Sequence, residues 1–309
     1  MKVLALGASR NIEYHASLRL LERGDTVTFL LRSTEAFEKD PVMAPHIGSG
    51  KARLVQGDAM KEEGVKRAWA SACLATSGSS PSDEGQVDLL LVTISESTIP
   101  DFKLASSSIL ADTYPTGATK GSFHPFNGVL INPADICTRT ILNALSTCPE
   151  STTPRIVALS TTGLGSNHDA LPFVYKPLYG WMLSAPHVVR PKPSSLGFHS
   201  NPRRVLQDKL GLERVLHHVN GRQWTEKTSK ERILPAGWEK RLPNWHFETV
   251  IVRPALLTDG DCKMTYRVGE GDINSAYYKI RRQDVAHFII EGLLLNWAKW
   301  SGKTVSISY

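Results

Sequence analysis

Gly7-Ala8-Ser9-Arg10-Asn11-Ile12 sits directly after the apolar run Val3–Leu6 and directly before a helical pattern. A strand, a tight glycine turn and a helix in that order bring main-chain N–H groups, and the positive end of a helix, against a pyrophosphate. On a G-x-x-G-x-x-G frame Gly7 stands, while the next two places hold Arg10 and Glu13. The frame alone is a weak match, and its position at the head of a strand-helix-strand pattern strengthens it.

Arg32-Ser33 follows the second apolar run, Thr26–Leu31. An acidic residue at that point accepts the adenosine ribose hydroxyls in dinucleotide folds, whereas an arginine pairs its planar fork with a 2′-phosphate. No carboxylate stands at that place, and Arg10 is a second cation for the same phosphate, so the spacing favours NADP(H) over NAD(H). The competing reading makes Arg32 a solvated strand end. Gly57-Asp58-Ala59 closes the third strand; its carboxylate either accepts from an adenine amino group or caps the following turn. Thr93-Ile94-Ser95 ends a fourth apolar run and is expected beside the central riboses of the cofactor, at the carboxyl edge where ligands of such sheets sit.

The elements that must position these residues alternate. Strands are expected at Val3–Leu6, Thr26–Leu31, Ala52–Val55, Val87–Ile94, Arg155–Leu159, Thr249–Val252 and Thr304–Ser308. Helices are expected at Tyr14–Arg23, Lys61–Ala75, Pro133–Leu145 with Asn132 as cap, Leu206–Val219 and Asp284–Leu295. This pattern predicts an α/β fold, a doubly wound parallel Rossmann sheet with right-handed crossovers. A single domain over 1–309 is expected, with a small substrate cap built from insertions at 163–205 and 220–246. Trp224, Trp238 and Trp245 fall in or beside the second insertion and form either an aromatic pocket or the packing core of a lid.

The chain resembles the atypical short-chain dehydrogenases/reductases, near the NmrA-like branch of NAD(P)-binding reductases. The pieces that carry the resemblance are Gly7-Ala-Ser-Arg-Asn-Ile, Leu30-Leu-Arg32-Ser, Gly57-Asp58-Ala, Leu159-Ser160-Thr-Thr162-Gly, Val252-Arg-Pro254 and Asp284-Val-Ala. It implies NADP(H) as cofactor and adds Ser160, Pro254 and Leu256 to the residues around it. Two departures stand out. Glu13 sets a carboxylate where the first helix should approach phosphates, which predicts weakened cofactor affinity by repulsion. The Tyr-x-x-x-Lys pair usual in the family is missing, since no tyrosine has a lysine four places later.

By the resemblance, Thr162 holds the place of the hydroxyl that bonds a substrate carbonyl, and Lys209 is placed to bind the nicotinamide ribose. His187 and Tyr175 are the candidate proton donors. The bland alternatives are a loop histidine and a surface helix lysine. Three functions remain open. The first is an NADPH-dependent reductase of a carbonyl or activated alkene in a small, fairly apolar molecule. The others are a non-redox isomerase or cyclase that retains NADP, and an NmrA-like dinucleotide sensor.

Composition bounds the choice. The 309 residues are 41% hydrophobic and 21% charged, an ordinary globular balance, and no apolar stretch suits a bilayer span. Four cysteines without C-x-x-C spacing argue against a zinc site or a disulfide framework. A formal charge of +6 is spread along the chain without a nucleic-acid-binding signature. The expected partners are a small-molecule substrate and a second copy of the chain as homodimer, with no nucleic acid and no membrane. The N-terminus lacks signal-peptide features, which points to the cytoplasm.

Overall fold

The structure, a computed structural model, describes residues 1–7, 12–74, 85–94, 122–124, 128–130, 135–162, 164, 203–225, 234–271, 273 and 279–309. The strands are β1 Lys2–Leu6, β2 Thr26–Leu31, β3 Ala52–Gln56, β4 Leu89–Val92, β5 Ser122–His124, β6 Gly128–Leu130, β7 Arg155–Leu159, β8 Thr249–Pro254, β9 Leu256–Thr258, β10 Arg267–Glu270, β11 Lys279–Arg281 and β12 Thr304–Ser308. The helices are α1 Ile12–Glu22, α2 Glu35–Glu38, α3 Ala44–Gly48, α4 Glu62–Cys73, α5 Ile136–Ser146, α6 Arg203–Val219, α7 Arg282–His287 and α8 Trp297–Trp300.

An eight-stranded sheet runs in the order β10-β12-β8-β7-β4-β1-β2-β3. All its strands are parallel except β10, which pairs antiparallel with β12. β9 and β11 form a separate parallel pair. This is the expected Rossmann-like α/β fold. Alternation along each strand splits its side chains between two cores. From β1, Val3 and Ala5 enter the layer with α1, α7 and α8. Leu4 and Leu6 enter the layer with α4, α5 and α6. Both faces are therefore covered, which is why the strands read as near-continuous apolar runs.

The order reverses between β1 and β4. The chain steps outward through β2 and β3 on one side, then through β7, β8 and β12 on the other. The crevice at the carboxyl ends of β1 and β4 is thus the switch point where this class of sheet admits ligands.

Three expected elements are corrected. The fourth strand is Leu89–Val92 rather than Val87–Ile94. α5 starts at Ile136 rather than Pro133, because its first amides are received by a carboxylate from α6 rather than by a local cap. The helix expected over Asp284–Leu295 is broken: α7 ends at His287, a π-helical turn covers Phe288–Leu293 and a 3₁₀ turn covers Leu294–Asn296. In the described part of the 220–246 insertion, Leu234 and Trp238 are buried while most of the other residues are exposed. Trp238 is buried beside α6, edge-on to His218, and Arg241 pairs with Glu62 of α4 at 2.8 Å. The 163–205 insertion lies outside the described residues except for Leu164 and the start of α6. No helix among the described residues is long and apolar enough to cross a membrane.

Candidate functional site

Register sets the rim. Leu6 of β1 lies opposite both Leu30 of β2 and Val92 of β4, Leu31 opposite Gln56, and Leu159 opposite Val252. Gly7, Arg32, Gly57, Thr93 and Ser160 therefore line up along one carboxyl edge. Gly7 has φ +114°, and a Cβ there would sit 2.9 Å from the Ile94 nitrogen and 3.1 Å from Glu13 Oε2. Only glycine combines that backbone with so close a neighbour. Ile12, the first residue of α1, is buried. Ala8, Ser9, Arg10, Asn11 and Ser95 lie outside the described residues.

Glu13 departs from its expected role. It is fully buried and accepts a hydrogen bond from the Thr93 hydroxyl. Burial pushes its pKa up to about 8, against the opposing effect of the Thr93 hydrogen bonds. The raised pKa favours the uncharged acid in the neutral range, which lessens the expected repulsion of phosphates. Thr93 spends its hydroxyl on this contact beneath the turn.

At the ends of β2 and β3, Arg32 and Ser33 are exposed. Gln56 Nε2 donates to the Arg32 carbonyl at 3.4 Å, tying the two strand ends together. Asp58 Oδ1 accepts from the Met60 N–H at 3.0 Å, the local turn geometry; the Ala59 carbonyl accepts from Asn143 Nδ2 at 3.0 Å. Gly64 lets α4 press on this loop, since a Cβ there would meet the Asp58 carbonyl oxygen at 2.9 Å. Arg67 was not singled out from sequence. Its guanidinium reaches the Gln56 carbonyl at 2.8 Å, adding a cation at the end of β3. Two arginines beside neighbouring strand ends are the signal that composition alone conceals.

At the ends of β7 and β8, both the N–H and the hydroxyl of Thr162 reach the Pro254 carbonyl at 3.2 Å. Pro254 is buried and Leu256 half-buried. The Ser160 hydroxyl is buried without a hydrogen-bond partner. It is thus an unsatisfied hydroxyl beside half-exposed Thr162.

Lys209 is not a surface lysine. It is 5% exposed, and its ammonium donates to the carbonyls of Ile94 at 2.7 Å and Leu159 at 3.1 Å, bridging the ends of β4 and β7. Its neighbours in Asp208-Lys209-x-x-x-Glu213 are fastened as well. Asp208 accepts the Cys137 and Thr138 N–H groups at 2.7 and 2.8 Å, capping α5 from another helix. Burial raises its pKa, opposed by those same bonds. Glu213 forms a bidentate buried pair with Arg253 of β8 at 2.9 and 2.6 Å. One helical turn before Lys209 stands Val205, where a catalytic tyrosine would fall in Tyr-x-x-x-Lys spacing. Tyr175 and His187 lie outside the described residues.

The residues present fit a dinucleotide. The glycine turn at the switch point leaves no room for a Cβ, cations stand at the ends of β2 and β3, and hydroxyls stand at the end of β7.

No family model matches the chain. Reductase pytE of Aspergillus terreus is 30% identical over 199 residues, a stretch covering 60% of this chain and 62% of that protein. The match thus spans less than two thirds of that relative. Among solved structures, a short-chain dehydrogenase/reductase from Veillonella parvula DSM 2008 in complex with NADP aligns with TM-score 0.55 at 12% identity, over 99% of this chain and 94% of that one. ChuY, an anaerobillin reductase from Escherichia coli O157:H7, aligns with TM-score 0.50 at 13% identity, over 99% and 95%. These likenesses establish the fold as that of the short-chain dehydrogenases/reductases.

Proposed function

We propose that this chain, built on the short-chain dehydrogenase/reductase fold, is an NADPH-dependent reductase of a carbonyl or activated alkene in a small, fairly apolar molecule. The observation that carries the reading is the β1/β4 switch point. There the Gly7 turn excludes any side chain, and Arg32 stands at the neighbouring end of β2 where a carboxylate would mark NAD. NADPH, when bound, supplies hydride.

The protein's part is placement and charge. The turn after β1 binds pyrophosphate through main-chain amides, and Arg32 pairs with the 2′-phosphate, with Arg67 adding positive potential. Ser160 holds the acceptor oxygen, Thr162 joins it by turning its hydroxyl away from the Pro254 carbonyl, and Lys209 fixes the rim between β4 and β7. His187 or Tyr175 supplies the proton. Similarity to a named reductase over part of the chain supports the same reading.

Titration of NADPH and NADH against the wild type and Arg32→Ala tests the cofactor assignment. A charge-assisted phosphate contact is worth about 1.5–3 kcal/mol, so NADPH affinity should fall roughly tenfold to a hundredfold. NADH affinity should stay within about twofold, and an equal loss for both would remove NADP from the reading. Thr162→Ala should lower turnover of a ketone or enone panel, followed by NADPH absorbance, with cofactor affinity near normal.

The absence of a tyrosine one turn before Lys209 favours a second reading, a non-redox isomerase or cyclase with retained NADP. Product formed without NADPH consumption would identify it.

A further inference from the structure

Resting on the cofactor reading above, we infer that Glu13 is a positioning residue for the dinucleotide turn. Held as the uncharged acid, it fastens the start of α1 to the end of β4 through Thr93, and ionising it sets a negative charge beneath the bound pyrophosphate.

Geometry carries the inference. Glu13 has no exposed surface. Its Oε2 takes the Thr93 hydroxyl and lies 3.1 Å from where a Gly7 Cβ would stand, so the carboxyl is packed directly against Gly7. Its Oε1 is buried with no hydrogen-bond partner. A carboxylate so placed lacks the donors that a buried charge requires, and the neutral acid is the form the site accommodates.

The groups facing it do not supply compensation. From β1, Gly7 offers only main chain. Just past the end of β4, Thr93 offers its hydroxyl and its N–H, and Ile94 its backbone, so the donors there are neutral and no cation among the described residues faces the carboxyl. Lys209 of α6 comes to the same strand end but places its ammonium on the Ile94 and Leu159 carbonyls. On α1 itself, His15 faces Arg19, Asp259 and Arg282, and Arg19 faces Tyr266 and His287. On α7, packed against α1, Arg282 pairs with Asp259 at 2.6 Å, Asp284 bonds to the Met264 N–H at 2.7 Å and His287 bonds to the Tyr266 hydroxyl at 2.7 Å. Arg10, three positions before it, and Glu96, three positions after Thr93, lie outside the described residues.

The test is NADPH titration of the full chain by fluorescence from pH 6.5 to about 9.5 at fixed ionic strength. The phosphate of the cofactor titrates at roughly 6, below most of this window. Wild-type affinity should hold to near pH 7.5 and then fall, approaching tenfold per pH unit for one linked proton. Glu13→Gln, which keeps the shape without the charge, should bind within about threefold of wild type at pH 6.5 and lose the alkaline fall. Thr93→Val removes a hydroxyl that favours the ionised form, so its fall should move to higher pH.

Superimposable profiles for wild type and Glu13→Gln, or a fall that stays in place in Thr93→Val, would overturn the inference alone. Folded wild type that binds neither NADPH nor NADH at any pH would overturn the cofactor reading, and this inference with it.

Discussion

A carboxyl group sealed from water either finds a cation or gives up its charge, and two glutamates in this chain take opposite courses. Glu213 lies against Arg253 in a bidentate pair, both side chains nearly inaccessible. Removing one partner of such a pair leaves the other buried alone. Glu213→Ala should therefore cost about 3–5 kcal/mol in urea unfolding. Glu13 instead has its pKa pushed by burial up to about 8, far above the ordinary carboxylate range near 4.5. Its folded-state pKa is raised, so its favourable contribution is complete below about 4.5 and is lost as pH rises toward 8. Within that window the folded chain binds one proton more than the unfolded chain, and stability falls by about 1.4 kcal/mol per pH unit. Glu13→Gln removes this slope. The variant should gain on wild type steadily from pH 5 to pH 8 in urea denaturation and no further above it, and a constant difference across the range would show that the acid does not titrate in the fold.

At the level of elements, long apolar runs were legible because a sheet covered on both faces needs them, and the register then delivers the rim. Gly7 and Arg32 could be placed from sequence for that reason: each simply follows a strand end. What escaped is what depends on distant chain. Asn132-Pro133 is a local cap signal for the start of α5, whereas its first amides go to Asp208, 71 residues from Cys137. The three-residue pair β9 and β11 is too short and too mixed in polarity for periodicity to register. The last helical run keeps its apolar spacing yet breaks at Phe288, whose ring lies 2.6 Å from where a Gly292 Cβ would stand. The damaged glycine frame was visible at Glu13, but its burial was not, because nothing local announces Thr93. Since α5 borrows its cap, Asp208→Ala should loosen only its first turn. Amide exchange at Cys137 and Thr138 should accelerate while the middle of α5 stays protected, at a cost of about 1–3 kcal/mol.

Across the whole molecule, α6 is the piece that joins the second layer to the centre of the sheet. Within six residues it caps α5 through Asp208, ties β4 to β7 through Lys209 and meets β8 through Glu213. A segment so connected cannot be altered without the sheet registering the change, and Lys209 is the sharpest probe. Lys209→Met keeps the length and apolar stem but leaves the Ile94 and Leu159 carbonyls without the ammonium, at about 1–3 kcal/mol for each buried acceptor left unsatisfied. For a chain of this size each kcal/mol lowers the melting temperature by roughly 2–4 °C. Thermal unfolding should therefore fall by several degrees, where a surface lysine would leave it unchanged. NADPH titration below the new melting point then separates two roles for the same ammonium. If Lys209 only holds the rim, affinity should change by no more than about threefold. If it also reaches the nicotinamide ribose, affinity should drop tenfold or more, the loss of a charge-assisted bond on top of the structural one.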